Sequence, residues 1–266
     1  MIYEETPSFP TDKEADTYFE ALPALTQADH VIVPQAMALS SSVGMSDVND
    51  PVGQINKESP AIIAFADGVS AENREAVMLS VAFAETVAHS KSDISSDPIK
   101  WLEEYSTAMR YGGWLTLGGH EYGEYTTRDQ SLTMDSVVLE LIGAIAGPNK
   151  ATLIQLLSLT LDKLQKNEPL MKLFEHNSKK GNTSTYRIMP CLESASGIPV
   201  TYLLSMHCDY MSDSGGALFW KWSVSRLKIR RLVKGLNFDK ASHERYKPKI
   251  LKYLDRDADD FFEGLN

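Results

Sequence analysis

A chain of 266 residues with 43% hydrophobic and 23% charged side chains and only 12 prolines can bury roughly three quarters of the surface it exposes unfolded, which excludes a disordered protein. Its net charge of −10 is uneven: residues 1–100 hold 16 acidic and 5 basic side chains, leaving 20 and 21 for the rest. Without a dominant basic surface, no nucleic-acid partner is expected.

The first residues, Met1-Ile2-Tyr3-Glu4-Glu5-Thr6-Pro7, have neither a basic nor an apolar stretch, so no cleaved signal peptide is expected. No run of about 18 uncharged apolar residues follows, so no transmembrane helix is expected either. These features predict a soluble protein made in the cytoplasm, any release following a non-classical route. From Thr11 to Leu25, Ala15, Tyr18, Phe19 and Leu22 follow helical spacing behind an acidic first turn, and Pro23 closes the helix. The Ser-, Asn- and Gly-rich run from Ser40 to Gly53 reads as a loop. Ser70 caps a helix to about Ser90 with Val77, Val81, Ala84 and Ala88 on one face, and Asp97-Pro98 opens another whose buried stripe is Trp101, Leu102, Tyr105 and Met109. Gly112-Gly113 ends that helix, and Trp114 to Thr127, rich in Gly and aromatics without a period, reads as irregular.

A helix from Thr133 carries Val137, Val138, Leu141, Ile142 and Ile145 and stops at Gly147-Pro148. Asn149 is then expected to cap a second helix bearing Leu153, Leu157, Leu161 and Leu164, antiparallel to the first. Only Glu140 and Lys150 are charged between Val137 and Leu161, making this hairpin the most apolar part of the chain. Beyond Gly181 the period becomes two: Thr185 to Glu193 and Ile198 to Tyr210 alternate around a Ser194-Ala195-Ser196-Gly197 turn. In a third strand Trp220, Trp222 and Val224 share one face while Leu227 and Ile229 take the other, which predicts a bulge or bend near Ser225. Two short helices are expected after Lys240, the second over Asp257 to Leu265.

The fold class that follows is α+β in a single domain over 1–266. A mainly helical layer (1–182) with its central apolar hairpin packs on an antiparallel sheet of about three to five strands (183–238), and short terminal helices (239–266) complete it.

Chemical motifs are incomplete. Asp213-Ser214-Gly215-Gly216 resembles the nucleophile segment of trypsin-like serine proteases over four residues, but Met211-Ser212 stands where a Gly is needed, and His89 is placed at a helix end. The same residues suit a turn. His120-Glu121-Tyr122-Gly123-Glu124 lacks the second histidine of a zinc-protease helix, and His207, Cys208 and Asp209, adjacent on a strand, alternate faces. No catalytic residue, metal or cofactor is therefore expected, and a non-enzyme is favoured. Cys191 and Cys208 read as free thiols, able to pair only with Cα atoms within about 7 Å.

Lys221, Arg226, Lys228, Arg230, Arg231 and Lys234 occur without an intervening acid beside Trp220 and Trp222. Basic side chains with indole suit the headgroup zone of an anionic membrane, and charge also protects an edge strand from mispairing. The run Ser214-Gly215-Gly216-Ala217-Leu218-Phe219-Trp220-Lys221-Trp222, between a helical region and a basic strand, resembles secreted bacterial cytolysins and insecticidal virulence proteins. That resemblance implies a soluble protein that converts to a membrane-bound form. The leading expectation is a membrane-active toxin or effector, pore-forming in its furthest form, that binds anionic lipid and self-associates on membranes. Its lipid contacts would be Trp220, Trp222, Arg226, Lys228, Arg230 and Arg231, and its inserting hairpin would use Val137, Leu141, Ile145, Leu153, Leu157 and Leu161. The alternatives are a non-catalytic interaction or structural protein, whose acidic first third docks a basic partner, and a hydrolase assembled from Ser214, His207 and Cys208.

Overall fold

The computed structural model describes residues 8–25, 35–36, 52–55, 61–94, 96–117, 123–127, 132–166, 179–180, 183–211, 221–222 and 226–254. Helix starts follow the capping chemistry of the sequence. In α1 (Asp12–Glu20) the Thr11 hydroxyl accepts the Glu14 amide at 3.3 Å while the Glu14 carboxylate accepts the Thr11 N–H at 2.7 Å, a closed capping box. Three strands precede the next helix: β1 (Gln35–Ala36), β2 (Val52–Ile55) and β3 (Ala61–Phe65). Ser70 caps α2 (Ala71–Lys91), and Asp97 with Pro98 opens α3 (Pro98–Tyr111).

The segment read as irregular holds β4 (Trp114–Leu117) and β5 (Gly123–Thr127). Neither has a clean alternation of its own; pairing with a long neighbouring strand fixes them. A two-residue strand, β6 (Leu132–Thr133), leads into α4 (Met134–Ile145), and a single 3-10 turn at Gly147–Asn149 joins it to α5 (Lys150–Lys166). Beyond it lie β7 (Lys179–Lys180), β8 (Thr183–Glu193), β9 (Pro199–Met211), β10 (Lys221–Trp222), β11 (Arg226–Phe238) and α6 (Lys240–Tyr253). The expected break near Ser225 falls between β10 and β11, at residues outside those described, as does the second terminal helix. Of the expected Ser40 to Gly53 loop, Val52 and Gly53 begin β2 and the rest lies outside the described residues.

The class is α+β, but the sheet is mixed and reaches beyond the C-terminal third. Among the described residues it has nine strands along the path β1-β2-β3-β8-β9-β11-β4, with β5 also on β11 and β7 also on β8. β3 joins parallel to β8, Ile62 opposite Ile188, and all five of its residues are buried. An unbroken apolar run, Ala-Ile-Ile-Ala-Phe, is what a strand covered on both faces requires.

Helices cover both faces. Ile62, Ala64, Ile188, Leu204 and Met206 point into a core with α4 and α5, while Ile63, Phe65, Met189, Cys191 and Leu203 point into a second core with α2, α3 and α6. α2, read from one apolar face of Val77, Val81, Ala84 and Ala88, is buried on every side from Ala76 to Ala88. Small alanines and Ser80 around its circumference let the sheet, α3 and α6 all approach it.

Candidate functional site

The apolar hairpin is an outer layer. α4 lies over β9 and β11, and α5 over β3 and β8. Val137, Leu141, Leu153, Leu157 and Leu161 are at most 2% exposed and face the sheet. Ile145 departs from the expected stripe: it is 37% exposed at the end of α4, because Ala146 takes the buried position before the turn. Asn149 does not cap α5. Its side-chain amide donates to the Tyr202 hydroxyl at 3.1 Å, and that hydroxyl donates to the Ala146 carbonyl at 3.4 Å, pinning the hairpin turn to β9.

The outward side of the hairpin is nearly uncharged. Between Val137 and Leu161 its exposed positions are Glu140 and Lys150 together with Ala144, Ile145, Gly147, Pro148, Ala151, Thr152, Gln155, Ser158 and Leu159. Leu159 is 45% exposed. An amphipathic helix with so weak a polar face resists an apolar phase less than an ordinary surface helix does.

The strand candidates divide. Lys221 and Trp222 of β10 pair with Thr133 and Leu132 of β6, the strand that runs directly into α4, so the Trp222 strand and the hairpin meet at one place. Trp220 lies outside the described residues. Arg226, Lys228, Arg230 and Arg231 belong to β11, which is no edge strand: it pairs with β9 on one side and with β5 and β4 on the other. The protective role of charge on an exposed edge therefore does not apply to them. The register sets Arg230 opposite His207 and Arg231 opposite Met206, and since strand positions alternate faces, Arg226, Lys228 and Arg230 fall on one face of β11 and Arg231 on the other.

No other motif closes a site. Ser214 and the Asp213-Ser214-Gly215-Gly216 run lie outside the described residues, as do His120 and Glu121. His89 stands at the end of α2, its Nδ1 2.9 Å from the Glu85 carbonyl oxygen and 3.3 Å from the Trp101 indole nitrogen. Burial pushes its imidazole down to about 4. His207 Nδ1 lies 2.8 Å from the Thr185 hydroxyl, in a shallow groove shared with Ile94, Pro98, Ile99 and Leu102. Among the described residues no group of three or more His, Cys, Asp or Glu is arranged to hold a metal. Cys191 is a buried free thiol, 3.1 Å from the Thr201 hydroxyl, and burial pushes it up to about 12. Cys208 pairs with Ser184 in register. Seven positions along β8 at about 3.3 Å per residue separate Ser184 from Cys191, far beyond disulfide reach.

Sequence reasoning missed an internal ion pair. Arg187 on β8 donates to Glu85 on α2 at 2.6 Å, the two side chains 1% and 0% exposed. The guanidinium lies 4.3 Å from the Trp101 ring centroid and 5.6 Å from that of Tyr105. The available signal was Glu85 itself, the one charge between Ala76 and Ala88. With no route to solvent, the pair registers α2 and α3 on the sheet.

No protein-family model matches the chain, and no curated protein matches it in sequence. Among solved structures it is similar to the Evf virulence factor, at 12% identity and a TM-score of 0.40, with 92% of this chain and 93% of that chain covered. It is also similar to a delta-endotoxin, at 9% identity and a TM-score of 0.41, with 75% and 87% covered. Both likenesses are too slight to bear on function.

Proposed function

We propose that the chain is a membrane-active protein in which the α4–α5 layer exchanges its contact with the sheet for contact with lipid. The observation that carries this reading is the placement of the most apolar hairpin as an outer layer, one side on the sheet and the other exposed, with only Glu140 and Lys150 charged between Val137 and Leu161 and the remaining charges of α5 gathered in its last turn at Asp162, Lys163 and Lys166. Ten of its side chains are buried in the core it shares with the sheet, nine of them valine, leucine or isoleucine, and at roughly 1.5 kcal/mol or more each, exposing those nine to water would cost on the order of 14 kcal/mol. In water the layer stays closed, since that sum equals a whole domain's net stability of about 5–15 kcal/mol. An apolar phase removes most of the cost.

Among the described residues no helix is long and apolar enough to cross a membrane. At about 1.5 Å per residue, α4 and α5 extend roughly 18 and 25 Å, against a hydrocarbon core of about 30 Å. The hairpin therefore lies along the interface, with the Lys221–Trp222 strand beside its entry at headgroup level. Self-association of bound chains, and toxin or effector action through leakage or a pore, are later steps of the same reading.

The test is co-sedimentation and dye release with phosphatidylcholine vesicles, with and without phosphatidylserine, from pH 4 to 8. Ile145→Glu with Leu159→Glu charges the exposed side and, at surface positions, should change folding stability by less than about 1 kcal/mol. Binding by the native chain that this variant loses is expected. Failure of the native chain to bind at any pH would sink the proposal.

A further inference from the structure

On the opposite side of the molecule, α1 lies across α6 as a short acidic strap. Asp12 pairs with Arg245 at 3.2 Å and Asp16 with Lys249, while Ala15 between them is fully buried. One turn on, Phe19 stacks on Phe83 with centroids 5.4 Å apart, and Tyr18 stacks on Tyr111 at 3.7 Å. Asp12, Ala15, Asp16 and Phe19 fall at i, i+3, i+4 and i+7, the spacing by which an amphipathic helix fills a groove, and Tyr18 flanks them.

We infer that the face formed by Arg245, Lys249, Phe83 and Tyr111 is a docking site for an acidic amphipathic helix with an aromatic anchor, occupied within the chain by α1, which acts as a displaceable strap. Three observations make α1 displaceable, with the Tyr246 hydroxyl, which donates to the Pro10 carbonyl at 2.7 Å, as the directional tie just ahead of it. Its ion pairs are solvent-exposed, Asp12 and Arg245 by 71% and 56%, and such pairs hold weakly. Its nine residues fall short of the length at which an isolated helix persists, so α1 loses its structure once lifted off. The Tyr18 hydroxyl is buried with no hydrogen-bond partner among the described residues, so the fit is incomplete where a better ligand could improve it. α6 carries Lys240, Arg245, Lys247, Lys249 and Lys252 against Glu244 alone, so the site selects acidic partners. The inference does not depend on the lipid reading, which concerns the other face of the sheet.

The experiment uses the full chain with its strap loosened by Asp12→Lys, Asp16→Lys and Phe19→Ala, and a fluorescent peptide of residues 8–25 as the probe, followed by anisotropy. The peptide should bind the loosened chain at least about tenfold more tightly than the native chain, where α1 competes, and the binding should weaken with salt. Adding Arg245→Glu and Lys249→Glu should abolish it, and a peptide carrying Asp12→Lys and Asp16→Lys should restore it. Equal binding to native and loosened chains overturns the inference, as does binding indifferent to the charge reversal. Capture of phosphatidylserine vesicles by the loosened chain, without peptide binding, also overturns it. Should the triple variant not fold, the milder Asp12→Asn, Asp16→Asn chain serves for the same comparison. In the native chain, the amides of Ala15–Glu20 should exchange hydrogen at least about tenfold faster than those of Val77–Val87; exchange at one common rate refutes a displaceable strap.

Discussion

Arg187→Met removes the guanidinium and keeps an unbranched stem, leaving the Glu85 carboxylate, 0% exposed, among aromatic rings and aliphatic side chains. Removing one partner of a buried ion pair typically costs about 3–5 kcal/mol, because the surviving charge has lost both water and its counter-ion. For a chain of this size each kcal/mol moves the midpoint by about 2–4 °C, so a fall of roughly 6–20 °C is expected. Two further measurements separate this mechanism from a simple packing defect. The doubly substituted Glu85→Met, Arg187→Met chain should recover to within about 1–2 kcal/mol of the native one, since no charge is then left in the core. In the single variant the buried Glu85 carboxyl, without the Arg187 guanidinium, takes up a proton more readily folded than unfolded, so its penalty should shrink as the pH is lowered from 7 to 5. Urea unfolding followed by tryptophan fluorescence at both pH values supplies the data. A single variant that loses less than about 1 kcal/mol, or a double variant less stable than either single one, would refute the reasoning.

Burial lowers His89, to about 4, and His243, from the usual 6.5. Below pH 6.5 the unfolded chain therefore gains protons that the folded chain refuses, and stability should fall as the pH drops from 6.5 toward 4, by up to about 3 kcal/mol through His89; urea midpoints across that window, compared with His89→Gln, check the sign and the size. Gly113 has φ of 93°, and a Cβ there would stand 2.8 Å from His243 Cβ and 2.9 Å from its backbone nitrogen, so Gly113→Ala should cost about 2 kcal/mol or more in the same assay. Cys191, sealed and held in its thiol form, should resist iodoacetamide at pH 8 in a Cys208→Ser background until the chain unfolds, and labelling of the native state within minutes would contradict its burial.

What was legible in the sequence was whatever depends on local chemistry. Ser70, and Asp97 with Pro98, mark their helix starts because capping is settled within four residues, and the same local rule closes the Thr11–Glu14 capping box that sequence reasoning passed over. The β8–β9 hairpin was readable from its alternation, and Gly197 adopts φ of 76° in its turn. Illegible features depend on distant partners. β4 and β5 exist through their register with β11, more than 100 residues later. The basic residues of β11 look like the protection of an edge strand in sequence, yet they occupy a strand paired on both sides. α2 carries the pattern of a half-exposed helix only when its neighbours are unknown, and Asp12 and Asp16 advertise a basic partner that proves to be α6 of the same chain.

The two helical layers are attached to the sheet by different kinds of force. On the α2, α3 and α6 side, directional bonds reach the sheet: the Glu85–Arg187 pair, the Asn73 side-chain amide donating to the Glu193 carboxylate at 2.6 Å, and the Tyr105 hydroxyl donating to the Met189 sulfur at 3.3 Å each require one arrangement. Lipid cannot replace such bonds. On the α4–α5 side the contact is dominated by leucine, isoleucine and valine, and the Asn149–Tyr202–Ala146 chain ties only the turn. Aliphatic contact is non-directional, and acyl chains supply it as well as a sheet does. If one layer of this fold opens at a membrane while the remainder stays folded, the difference in attachment among the described residues favours α4–α5. Tyr202→Phe, which removes the polar tie and leaves the ring, should then make opening easier and vesicle binding tighter. A variant that binds lipid no better than the native chain would show that the turn does not restrain the layer.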